Sequence, residues 1–201
     1  MDIPSDVSWQ LGGTFEDQQD TFQDLGILMV LIIILVFIVM AAQFESLTDP
    51  FVIMFSIPFA FTGVILGLSI TQTPLGVMAL IGVIMLMGIV VKNGIVLIDY
   101  TILCRERGMS ILTAAVTAGK SRLRPVLMTT LTTVLGMIPM AIGTGEGAEM
   151  WRSMGMTVAW GLAVSTLITL VIVPVVYCVF AGNGVKRRRR KIAKLNQLEQ
   201  L

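Results

Sequence analysis

Histidine is missing from all 201 residues, cysteine occurs only twice, and charged side chains make up just 13% of the chain. Without histidine, neither imidazole acid–base catalysis nor a histidine metal site can be built. Cys104 and Cys178 are too few for a disulfide framework. A soluble domain carries about a quarter charged residues. The low value here, beside 55% apolar residues and a mean hydropathy of +0.87, excludes an ordinary water-soluble fold. Basic residues are also absent from the whole stretch before Lys92, and seven of the fourteen fall between Lys186 and Lys194. A nucleic-acid binder needs a basic face on a folded surface, whereas most of these groups lie beside apolar runs. The composition is that of an integral membrane chain.

Five apolar tracts are present: Leu25–Ala42, Phe51–Ile70, Leu75–Ile98, about Val126–Ile142 and about Met154–Phe180. Roughly 20 residues at ~1.5 Å rise cross a ~30 Å hydrocarbon layer. Unpaired backbone groups are intolerable in lipid, so each tract is expected to be helical. The expected fold is an all-α membrane protein with helices at about 14–42, 51–70, 75–99, 124–143 and 152–181. Pro58, Gly63, Gly82, Gly88, Gly136, Pro139 and Pro174 would be odd in soluble helices, but they suit membrane helices that pack closely or bend.

Orientation follows from the basic residues of the short loops. Residues 2–24 hold six acidic and no basic side chains, and the loop between spans four and five holds only Arg152. The loop between spans three and four holds Arg105, Arg107, Lys120, Arg122 and Arg124, and the basic tail, 183–201, holds seven more. The N-terminus is therefore expected outside and the C-terminus in the cytoplasm. An acidic start without a secretory signal is a poor beginning for an N-out chain, which suggests that Met1 opens a piece of a longer polypeptide. A short acidic tail can also cross unaided.

Val7–Leu11 alternates as a strand does and Gly12-Gly13 ends it, so residues 1–13 read as the remnant of an exterior domain. Thr14 suits a helix N-cap. In the long cytoplasmic loop, Ser110 can cap an amphipathic helix over about 110–119, with Ile111, Leu112, Ala115 and Val116 flat on the membrane surface.

Lys92 is the most informative residue. It follows seventeen span residues, where a lysine costs at least ~2.5 kcal/mol unless it snorkels or finds a partner. Asn93 beside it weighs against snorkelling, because a second polar group there also needs a partner. Asp99 shares its helix face but lies two turns on, ~10 Å away, at the interface. Either the lysine is neutralised or its acid comes from another stretch of protein. In span four, Arg122, Thr129 and Thr133 share a face that Gly136 extends. The threonines can serve neighbouring helices or simply bond back to their own. No nucleophile–base pair or metal-ligand cluster suggests an enzyme.

Gly88-Ile89-Val90-Val91-Lys92-Asn93-Gly94-Ile95-Val96-Leu97-Ile98-Asp99, followed by Arg122-Leu123-Arg124-Pro125-Val126-Leu127-Met128-Thr129-Thr130, closely resembles the resistance-nodulation-division (RND) permeases, nearest to the hydrophobe/amphiphile exporters of multidrug efflux. Gln43-Phe44-Glu45-Ser46, Pro58, Gly136-x-x-Pro139 and Val173-Pro174-Val175 match as well, and the likeness covers about 5–182. It implies a twelve-helix transporter of the bacterial inner membrane, of which this chain resembles the eighth to twelfth helices. It also implies proton antiport without a cofactor, driven by the proton motive force. Lys92, Asn93, Arg122 and Thr129 match the relay residues that oppose an aspartate pair on the first half of the permease, a half not found here. Gly88, Gly136 and Pro139 are expected at helix packing or hinge positions. A homotrimer, a periplasmic adaptor and an outer-membrane channel are the implied partners. Competing readings are an RND relative for metal ions, and an inactive fragment or scaffold without transport of its own.

Overall fold

The computed structural model describes residues 14–145 and 147–198, and side chains within 17–145 and 147–181. The strand expected at Val7–Leu11 and the 1–13 remnant lie outside the described residues. Among those residues the chain is helical and has no strand: α1 Thr14–Phe44, α2 Thr48–Met54, α3 Ile57–Thr71, α4 Val77–Glu106, α5 Ile111–Ile142 and α6 Ala148–Leu198. Five stretches are long and apolar enough to span a membrane: Asp17–Phe44, Thr48–Thr71, Val77–Glu106, Ile111–Ile142 and Ala148–Ala181. This is a five-span, all-α membrane fold.

The second span, expected as one helix, is broken between α2 and α3. Pro58, in the first turn of α3, has no N–H and its ring crowds the carbonyl four residues back, at Met54, where α2 ends. Ser56 closes the break. It is fully buried, and its hydroxyl donates to the Ile53 carbonyl at 2.6 Å.

The fourth span differs in the opposite sense. The surface helix expected at 110–119 and the span expected from 124 form one continuous rod, α5. Ser110 caps it, accepting the Thr113 N–H at 3.3 Å, but nothing then interrupts it. Residues 120–124 contain no glycine, and the fixed φ of Pro125 is itself helical. Pro125 and Pro139 both lie inside the helix. α6 likewise runs on past the last span to Leu198, through what reads in the sequence as a tail.

α6 is the central post, packed against α3, α4 and α5, while α1 stands at the margin against α2 and α4. In lipid, apolar surface has no reason to hide from its surroundings, so helices associate through close van der Waals fit between small residues. The seams here are built that way. A Cβ on Gly63 would stand 2.8 Å from Val164 Cβ, and one on Gly82 3.2 Å from the Met154 carbonyl oxygen. A Cβ on Gly155 would stand 3.0 Å from the Ala141 backbone nitrogen. One on Gly67 would collide with Trp160, and one on Gly161 with Leu86. Side chains fill the rest. Val64, Val83, Leu86, Val90 and Leu162 form one core cluster, and Met40, Val52, Ile53, Met87, Val91, Ile98 and Tyr177 form the other.

Candidate functional site

One face of α4 is left uncovered. Ile81, Met85, Gly88, Lys92, Asp99 and Leu103 recur at helical spacing and are all exposed, whereas Val83, Leu86, Val90, Val91, Leu97 and Ile98 on the other side are buried. Lys92 stands in the middle of that open stripe and Asn93 is half-buried at its edge.

The packing contacts fix the depth of Lys92 against its neighbours. α4 and α6 run parallel, with Gly82 against Thr157 and Leu86 against Gly161. α5 and α6 run antiparallel, with Ala141 against Gly155 and the Thr130 and Thr166 hydroxyls 3.1 Å apart. Carried along these helices at equal rise, the registers set Lys92 level with Leu167 of α6, and Leu167 level with Thr129 of α5. Lys92 and Thr129 therefore share one layer. α5 carries no carboxylate, the described part of α6 carries only Glu149 at its far end, and the nearest on α4 is Asp99. Among the described residues of these three helices, the ammonium group has no acid at its own depth.

Thr129 is exposed, and its hydroxyl donates back to its own helix, to the Val126 carbonyl at 2.9 Å and the Pro125 carbonyl at 3.2 Å. Thr132 and Thr133 do the same, to Met128 and Thr129, each at 2.8 Å. With its proton committed there, the Thr129 oxygen keeps lone pairs for an external donor. The threonine that joins helices is the next one, Thr130, about 100° further round the helix and buried against Thr166.

Arg122 lies a layer deeper toward the basic end. Its guanidinium carbon sits 4.6 Å from the centroid of the Tyr100 ring, and its Nε is buried without a hydrogen-bond partner. The stack ties α5 to α4 next to Asp99. One turn further, Arg105 donates to the Tyr177 hydroxyl at 2.8 Å and ties α4 to α6. Neither tyrosine stands out in the sequence, because no short spacing joins residues 22 or 72 positions apart; each aromatic is visible only as part of an apolar run.

Gly88 and Gly136, expected with Pro139 at helix packing or hinge positions, have no described residue within 4 Å of an added Cβ, and Pro139 is exposed. Within this chain the close approaches fall instead on Gly63, Gly67, Gly82, Gly155 and Gly161. The two open glycines lie on the uncovered faces that also carry Lys92 and Thr129.

The family model for the AcrB/AcrD/AcrF family matches residues 1–181. The swarming motility protein SwrC of Bacillus subtilis strain 168 is 42% identical over 192 residues, 95% of this chain and 18% of that protein. The cobalt-zinc-cadmium resistance protein CzcA of Cupriavidus metallidurans is 40% identical over 175 residues, 87% of this chain and 16% of its own. The multidrug resistance protein MdtC of Proteus mirabilis is 35% identical over 189 residues, 94% and 18% respectively. A crystal structure of a heavy metal efflux pump superposes with a TM-score of 0.79 at 32% identity, covering 90% of this chain and 18% of that one. The chain thus spans less than a fifth of the length of these relatives.

Proposed function

Because the chain belongs to the AcrB/AcrD/AcrF family of RND permeases, we propose that it supplies the lysine and threonine side of a proton relay in an efflux transporter that exports drugs or other amphiphilic compounds. The observation that carries this reading is Lys92: a cation at mid-span on an uncovered helix face, level with Thr129 and with no carboxylate at its depth on α4, α5 or α6. Such a group is costly in lipid unless it snorkels to the headgroups or faces an acid or a water-filled path, and the half-buried Asn93 beside it weighs against snorkelling. The acids are assigned to the first half of the permease, as a pair of aspartates facing the open stripe of α4.

In the proposed cycle Lys92 pairs with those aspartates while they are ionised. Protonation removes the attraction, and the ammonium group turns to the free lone pairs of Thr129 in the same layer. Asn93 supplies a second hydrogen-bonding group at the edge of the stripe, and Arg122, held on Tyr100, keeps positive charge at the inner end of the path. The proton motive force drives the cycle, with the N-terminus periplasmic and the C-terminus cytoplasmic, in a homotrimer joined to an adaptor and an outer-membrane channel. A second reading of the cargo, metal ions, is supported by the likeness to CzcA and to the heavy metal pump.

The test is made in the intact transporter carrying this half. Lys92→Ala is expected to abolish proton-coupled export while expression and assembly stay normal, and Thr129→Val is expected to slow it. Full export by the Lys92→Ala pump would remove the relay assignment.

A further inference from the structure

The joining of two expected helices into one rod leaves an unclaimed surface. Near its start α5 runs beside the end of the last span in α6, and between them lies a groove of about 560 Å³. Ala115, Gly119 and Pro174 line it between the helices, and Val116, Val171 and Val175 stand at its rim, each of these three valines more than half exposed. Among the described residues no charged side chain lines it. It does, however, lie at the basic end of the bundle. Lys120 is exposed immediately beyond Gly119, and Arg122 and Arg124 follow on the same helix.

We propose that this groove holds an acyl chain of an anionic phospholipid whose phosphate is bound by Lys120. Two features favour a lipid over a protein helix. Helix seams elsewhere in the molecule put glycine against backbone or a neighbouring side chain, and membrane helix pairs generally depend on such small residues. The groove offers no equivalent: its rim is bulky and branched, and Gly119 has only open space around an added Cβ. A flexible hydrocarbon chain fills such a slot without needing a flat, close approach. Charge complementarity selects the headgroup, since a basic cluster at a membrane boundary attracts anionic lipid.

The full chain, purified in mild detergent, is titrated with phosphatidylglycerol or phosphatidylcholine and the bound lipid is counted by native mass spectrometry. One phosphatidylglycerol is expected to be retained in preference to phosphatidylcholine. Gly119→Leu puts a branched side chain into the groove from a position where an added Cβ meets nothing within 4 Å, so it should abolish that retention while the melting temperature holds. Lys120→Gln, at an exposed position, should weaken it about fivefold. Retention unchanged in Gly119→Leu would overturn the site. Equal retention of the two lipids, or indifference to Lys120→Gln, would overturn the anionic headgroup. Cross-linking of a Leu112→Cys chain to a protein segment instead of lipid, in the assembled transporter, would assign the groove to a helix and overturn the lipid.

Discussion

Gly161 and Gly136 are the same residue type on neighbouring helices, yet a methyl group added to each would meet opposite surroundings. At Gly161 it would strike Leu86 and Val64; at Gly136 it would meet nothing. Gly161→Ala is therefore expected to destabilise the chain by about 1–3 kcal/mol, the usual cost of overpacking. Gly136→Ala should leave the melting temperature in detergent unchanged, and a thermal shift assay on both variants checks the contrast. The Thr130–Thr166 hydroxyl pair is a second test at this scale. A double-mutant cycle with valine at both positions is expected to give a coupling of about 0.6 kcal/mol, typical of hydrogen bonds between membrane helices. The sequence reveals that glycines and threonines matter in these spans, because both are conspicuous among aliphatics. It does not reveal which of them face a partner, because small residues sit both in closed seams and on open faces. Lys92 stands out for a different reason: a charge after seventeen span residues is costly unless it snorkels or finds a partner.

At the scale of the helix, hydropathy located all five spans, since a segment crossing hydrocarbon must satisfy its backbone groups within itself or against protein, and helix does this with the least help. Proline was the harder signal. Pro58 breaks the second span, whereas Pro125 and Pro139 sit inside α5 without ending it. The difference lies in the surroundings: next to Pro58 the buried Ser56 hydroxyl takes up the Ile53 carbonyl, a compensation no sequence window announces. The helices also differ in how firmly they are held. Only 6% of the apolar window of α1 is buried, against 50% for that of α4. A carbene-generating photolabel dissolved in the bilayer, which inserts into C–H bonds and needs no ionised group, should tag Leu31, which is 54% exposed. Leu162, which is fully buried, should be tagged only on unfolding. Equal labelling rates would contradict this packing.

For the molecule as a whole, the open face of α4 presents a cation, and among the described residues of α4, α5 and α6 no acid stands at its depth. Reconstituted alone in proteoliposomes, it is expected to leave an imposed pH gradient intact. Co-reconstituted with a first half bearing the aspartates, it should dissipate the gradient, and Lys92→Ala should suppress that gain. A fluorescent pH indicator inside the vesicles distinguishes these outcomes. That Asp99 lies two turns from Lys92 on α4 was readable from the sequence; the shared layer of Lys92 and Thr129 was not, because it depends on how α6 registers against both neighbours. That registration has a mechanical corollary. Gly82 lies against Thr157 and Gly161 against Leu86, so α4 cannot slide along α6 by a fraction of a turn without forcing atoms through one another. A displacement of α4 is therefore expected to carry α6 with it, and near the start of α6 the Ser153 hydroxyl donates to the Pro74 carbonyl at 3.1 Å, linking the same helix to the loop before α4.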